Sequence, residues 1–317
     1  MSSALEFYHL FRDAMAGHGI RFALTSGMAC VQYGLQQNTK DTDWIVAPDN
    51  LDELVAMLCK LERGLNGRNW RISYRNLFGA PLDAKFHLGG WTTHLAIWDG
   101  AESPEHHLDF FGRPPRVLPG TGLPSTGFLA SRDIVARMKK TDRAKDWPIV
   151  NALAVQDWYA GRRMGSLLHL TEIGLMREAW GALEDSQRQV LSAQRPLLTL
   201  LNFQEDIQLE RSLLLERSLW ENVNRERYLI YQTIWKSFYR SWQRDAVGIW
   251  PSSEPFASQH QRLLEAAATH ELTPHPLSEN STREDVFDRG KKRTQQLLNA
   301  SEEELNSVLM PIELVLP

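Results

Sequence analysis

The sequence predicts an α+β protein, with a mixed sheet and helices on one of its sides over residues 1–120 and an all-helical region over 121–317. Three observations carry this. Short strand-like runs separated by turn signals crowd residues 21–111. A Pro/Gly-rich stretch, residues 113–127, follows and reads as a linker. Beyond it, apolar residues recur at helical spacing almost to the end.

The elements follow in order. Ser3-Ala-Leu-Glu6 has the spacing of a capping box, and Phe7, Leu10, Phe11 and Met15 mark the buried side of a first helix, stopped by Gly17 and Gly19. Residues 21–25 form a short apolar run, read as a buried strand. Ser26-Gly27 breaks it, and a helix over 28–35 ends at Gly34. Residues 43–47 read as the second strand. Pro48-Asp49-Asn50 turns into a third helix capped by Asn50, whose apolar side is Leu51, Leu54, Val55, Leu58 and Leu61. Strands are then expected over 70–74, 83–88, 92–98 and 106–111, with hairpin signals at Gly89-Gly90 and Asp99-Gly100. The later half reads as helices over 131–141, 146–159, 167–180, 182–193, 205–220, 223–244, 255–270 and 282–298.

Composition excludes several classes. At 317 residues, 43% hydrophobic and 23% charged, the chain can bury a sizeable core without a covalent staple. Cys30 and Cys59 both sit in apolar segments and read as small buried hydrophobes, which fits a reducing, cytoplasmic location. Residues 1–8 show no signal-peptide pattern, and no apolar run is long enough to span a membrane. A formal charge of −4 gives no general attraction to nucleic acid. Seven of the eleven tryptophans fall in the helical half, where Trp220, Trp235 and Trp242 are read as core anchors rather than a stacking surface for bases. The basic run at 289–293 reads as a solvated helix end.

The informative segment is residues 24–46. Asp41 and Asp43 lie two apart at the start of a strand, so their carboxylates point to one side. Two hard anionic oxygens aimed at one point suit a cation such as Mg²⁺. Upstream, Ser26-Gly27 falls between a strand and a helix, where the backbone can approach a ligand and free N–H groups can face a phosphate.

Ser26-Gly27-Met-Ala, then Gly34, then Thr39-Lys40-Asp41-Thr42-Asp43 resembles the signature of the DNA polymerase β-like nucleotidyltransferase superfamily, with greatest likeness to its minimal and abortive-infection toxin-type members. The resemblance implies a mixed-sheet core that transfers a nucleoside monophosphate from an NTP with Mg²⁺ or Mn²⁺. It implies that Asp41 and Asp43 are catalytic metal ligands and that Ser26, Gly27 and Thr39 contact the nucleotide. It also implies a third carboxylate on a later strand, for which Asp109 in His107-Leu-Asp-Phe-Phe111 is the best match, ahead of Asp99 and Asp83. A second likeness lies at 130–146. There Lys139, Arg143, Lys145 and Asp146 match a helix with lysine followed by Arg-x-Lys-Asp, implying that Lys139 and Arg143 reach the triphosphate. Lys140 is the alternative in register, and Asp146 is expected to cap the next helix or pair with a base. Residues 128–160 are expected to pack on the core.

The likeness covers about residues 5–160. Ser26 replaces the first glycine of the turn, and Gln37 and Asn38 stand where related sequences carry arginine. His106, His107 and Asp109 do not complete a zinc set, since a strand sends His106 to the opposite side. His87 and His94 read as strand histidines facing solvent or a neighbour. The acceptor stays open among an RNA end, a protein hydroxyl and a small molecule. Two further readings are a non-catalytic NTP-binding module of the same fold and a toxin masked by an antitoxin protein.

Overall fold

The computed structural model describes residues 4–39, 41–64, 70–98, 105–124, 127–245, 250–278 and 280–316. It is an α+β protein with a five-stranded mixed sheet and a largely helical remainder. The strands are β1 (Phe22–Thr25), β2 (Asp41–Val46), β3 (Arg71–Tyr74), β4 (Thr92–Trp98) and β5 (His106–Phe111), in the order β1-β2-β5-β4-β3. Only the central pair, β2 with β5, is parallel.

The helices in chain order begin with α1 (Ala4–Gly17), α2 (Ser26–Gln32), α3 (Leu51–Glu62), α4 (Ala84–Leu88), α5 (Arg132–Lys139), α6 (Trp147–Tyr159) and α7 (Arg163–Leu167). They continue with α8 (Ile173–Gly181), α9 (Asp185–Gln194), α10 (Asp206–Arg244), α11 (Phe256–Thr269), α12 (Asn280–Leu298), α13 (Glu302–Ser307) and α14 (Ile312–Val315). None of the described helices is long and apolar enough to cross a membrane.

Three expectations are corrected. Residues 83–88 form a helix, not a strand. Asp83 is its N-cap, and its carboxylate accepts the Lys85 N–H at 2.8 Å. Gly89-Gly90 therefore ends a helix rather than turning a hairpin. The separate helices expected over 205–220 and 223–244 are one helix of 39 residues, because no glycine or proline interrupts the chain between them. Ser3 and the turn Asp99-Gly100 lie outside the described residues.

The chain divides into two compact units, and neither is one continuous stretch. The first comprises residues 1–114, 120–130 and 230–278. The second comprises 115–119, 131–229 and 279–317. The boundary expected at 120 is thus one of several crossings, and part of the stretch read as a linker has its own packing. Arg116 and Val117 are buried, and Arg116 donates to the carbonyls of Arg137 and Met138 at the end of α5.

In the first unit, α1 covers one face of the sheet. Phe7 stacks on His106 at 4.0 Å, Tyr8 on Trp44 at 5.8 Å, and Phe11 lies against Trp44 and Phe110. These side chains are fully buried, each worth about 1.5–3 kcal/mol in transfer free energy. Both edges of the sheet are engaged. Outside β1, Leu24 N–H donates to Phe128 and Ala130 N–H donates to Leu24. Outside β3, the buried amide of Gln259 on α11 accepts from Tyr74 N–H at 3.0 Å and donates to the Ile72 carbonyl at 3.0 Å. A side chain from α11 thus replaces a sixth strand there.

The second unit is a helical assembly around Leu167, Leu170, Met176, Leu197, Leu198 and Leu209. Inside it, Arg195 forms a buried ion pair with Glu216 at 2.7 Å and donates to the carbonyls of Leu167 and Leu170. The basic run at 289–293 lies within α12 rather than at its end. Arg289 and Arg293 both pair with Glu226, and Gly290 packs so tightly on α10 that a Cβ would fall 2.5 Å from Val223 Cγ2. Trp220 and Trp242 are buried, as core anchors should be.

Candidate functional site

The candidate site lies on the sheet face opposite α1. Residues paired across neighbouring strands share a face. The register makes one row of Thr25, Asp43, Asp109 and His94 across β1, β2, β5 and β4. Two residues along on the same face, Asp41 stands beside His107. The alternation of β5 agrees. His106, Leu108 and Phe110 are buried against the α1 side, while His107, Asp109 and Phe111 are partly open.

Asp43 and Asp109 are therefore direct partners in the parallel ladder, with Asp41 one pleat away. Neighbouring strands in a sheet run about 4.8 Å apart, so three carboxyl-bearing residues share a small patch. This patch joins the two carboxylates legible from spacing to the one assigned by resemblance.

Each outer carboxylate is held by an imidazole. His94 Nδ1 lies 2.6 Å from Asp109 Oδ1, and His107 Nδ1 lies 2.9 Å from Asp41 Oδ1. The other ring nitrogen of His107 lies 3.0 Å from Glu105 Oε1. Among the described residues, no group of three or more His, Cys, Asp or Glu side chains is gathered closely enough to hold a metal ion. Each imidazole engages one carboxylate oxygen, an arrangement that orients a ligand. The donor chemistry, carboxylates carried on one face of neighbouring strands, is the kind a hard divalent cation takes.

The turn before the carboxylates has a distinct backbone. Ser26, at the start of α2, has φ of +53°, in the left-handed region that favours glycine. Gly27 is buried, and a Cβ there would fall 2.7 Å from Thr39 Oγ1. Glycine thus lets Thr39 close over the turn. Thr39 Oγ1 donates to the Asp41 carbonyl at 3.1 Å, tying the turn's cover to the first carboxylate. Lys40, between them, lies outside the described residues.

Lys139 and Arg143 belong to the second unit, and there they converge on one acid. Asp146, buried, accepts from Lys139 Nζ at 3.3 Å, from Arg143 at 2.7 Å and from Thr141 Oγ1 at 2.8 Å. Asp146 pairs with bases as expected, and its side chain makes no helix-capping bond. Lys140 points elsewhere in the second unit. Its Nζ donates to the Leu168 carbonyl at 3.2 Å and sits 4.5 Å from the centre of the Trp220 ring. Burial pushes its pKa down to about 7.

The sequence reading did not find the histidines' part. His94 was expected to face solvent or a neighbour, and the neighbour is Asp109. His87 is not a strand residue: it sits fully buried on α4, where burial, then the charge of His94, pushes it down to about 3. Its Nε2 lies 2.9 Å from Thr93 Oγ1, whose hydroxyl donates to the Ala80 carbonyl. No signal in the sequence fixes which strand residues face one another, so these pairs become visible only with the register.

No protein-family model, curated protein or solved structure matches the chain.

Proposed function

We propose that the chain is a metal-dependent nucleotidyltransferase that moves a nucleoside monophosphate from an NTP to a hydroxyl acceptor. The single observation that supports this best is the register of Asp43 against Asp109, with Asp41 on the same face. Asp41, Asp43 and Asp109 would hold Mg²⁺, which when bound neutralises the phosphate charge and draws the reacting oxygens together. The donor chemistry is that of such an ion, and the three carboxylates would have to draw together to hold it, Asp41 and Asp109 each keeping one oxygen on its imidazole.

The chain's own residues then have these parts. The Ser26-Gly27 turn, with Thr39 over it, presents backbone N–H groups to the triphosphate. Asp109 takes the proton of the attacking hydroxyl while His94 fixes its other oxygen. The new bond joins the acceptor oxygen to the α-phosphorus, the bond to the bridging oxygen breaks, and pyrophosphate leaves.

The test is incubation with labelled NTPs, Mg²⁺ and an unfractionated cell extract. Transfer of label that Asp43→Asn abolishes, with the fold intact by circular dichroism, supports the reading. Full activity in that variant overturns it. A second reading, an NTP-binding module without turnover, draws on the imidazoles that hold Asp41 and Asp109 apart from a common point. It predicts NTP binding without any transfer of label.

A further inference from the structure

On the far side of His94 from Asp109, the first unit holds a narrow, partly open cleft between the β3–β4 side of the sheet and residues 230–278. Its lining includes the buried Tyr74 and Phe238 and the more open Trp235, Trp250, Arg75 and His94. The rings are set in place before any ligand arrives. Trp235 stacks on Tyr239 at 4.9 Å and 8°, Trp250 Nε1 donates to the Tyr74 carbonyl at 2.8 Å, and Asn76 donates to the Tyr239 hydroxyl. Gly79 lets the loop after β3 run against β4, since a Cβ there would fall 2.6 Å from the Thr92 carbonyl oxygen and 3.0 Å from His94 Cδ2.

We propose that this cleft seats a nucleobase of the acceptor. The proposal rests on the reading of Asp109 as the residue beside the attacking hydroxyl. Two arguments lead to it. The first is direction. In phosphoryl transfer the attacking and leaving oxygens lie roughly in line through phosphorus. The Ser26-Gly27 turn follows β1, on one flank of Asp43, whereas Asp109, His94 and the cleft lie on the β5–β4–β3 flank. With the leaving phosphates at the turn, the acceptor enters from the cleft's side. The second is chemistry. A narrow slot lined by aromatic residues with Arg75 and His94 among them suits a flat heteroaromatic ring, and every base has a face to stack. A nucleobase reaches such a slot either on a free nucleoside or at the end of an RNA strand.

The test works without metal, so that it does not depend on transfer. In EDTA, binding of each labelled nucleoside is measured by equilibrium dialysis, and binding of a labelled ten-nucleotide single-stranded RNA by filter retention. Wild type, Trp235→Ala and Trp235→Phe are compared. The expected result is saturable binding that Trp235→Ala weakens about 5- to 100-fold, the range of one base–aromatic stack, and that Trp235→Phe largely restores. Binding of nucleosides identifies the free form as the source, and binding of RNA alone identifies the strand end. Absence of both, or equal affinity in Trp235→Ala, overturns the proposal. Base binding without label transfer strikes the carboxylate reading alone, and transfer without base binding strikes the cleft alone.

Discussion

His94 and Asp109 face each other across the β4–β5 ladder, with Nδ1 of the imidazole 2.6 Å from Oδ1 of the carboxylate. The contact leaves Asp109 one orientation instead of several. Under the proposed reaction, His94→Ala lowers label transfer about 10- to 100-fold and raises the Mg²⁺ concentration needed, as loss of an outer partner of a metal ligand does. His94→Asn places an amide N–H near the position of Nδ1 and recovers most of that loss. Equal loss in both variants would remove His94 from the positioning role.

The Ser26-Gly27 turn makes opposite predictions at adjacent positions. Ser26→Gly relieves a left-handed backbone that costs a side chain about 1–2 kcal/mol, partly offset by the freer unfolded chain, so the variant melts as high as wild type or higher. Gly27→Ala puts a methyl group 2.7 Å from Thr39 Oγ1 and pushes the cover off the turn. Under the proposed reaction it raises KM for the NTP with a smaller effect on kcat. Thermal melts and steady-state kinetics separate the two.

Gln259→Leu strands two backbone groups of β3. Tyr74 N–H loses its acceptor and the Ile72 carbonyl loses a donor, both at a buried position. Each unsatisfied buried group costs about 1–3 kcal/mol, so urea unfolding should show a loss of roughly 2–6 kcal/mol. A loss below the error of the measurement would mean that water serves that edge equally well.

Lys140 gives a pH signature. Its pKa falls from about 10.5 in the unfolded chain to about 7 when buried among Trp220, Glu216 and Arg195. Between those values the unfolded chain binds the extra proton, so this lysine's contribution makes stability rise with pH. At or below pH 7 its full penalty applies. Lys140→Met should therefore be more stable than wild type by roughly 1–4 kcal/mol near pH 7, with the gain fading toward pH ~10.5. Paired unfolding curves across that range check it, and a gain independent of pH would contradict the assignment.

The sequence carried the fold where periodicity was unambiguous and misread it where length had to decide. Strands β1, β2, β4 and β5 fall close to their expected places because Val, Ile, Thr and aromatic residues cluster there. Residues 84–88 are apolar enough for either state, and the Asp83 cap decides for a helix. The pair Asp41 and Asp43 was legible because two-residue spacing is local. Asp109 needed a resemblance, and the histidines needed the register, because parallel pairing joins residues more than sixty positions apart without a local mark. Membership of residues 230–278 in the first unit was hidden for the same reason.

That membership has a consequence for synthesis. The strand β5 is complete at residue 111, yet the amide that seals β3 arrives only with Gln259. At about 5–20 residues per second, the ribosome needs on the order of ten seconds to deliver it. Until then the sheet has an open border able to pair with another nascent chain. The first unit to begin folding thus waits for residues far along the chain, and a protein cut after residue 160 would carry the carboxylates on an unfinished sheet.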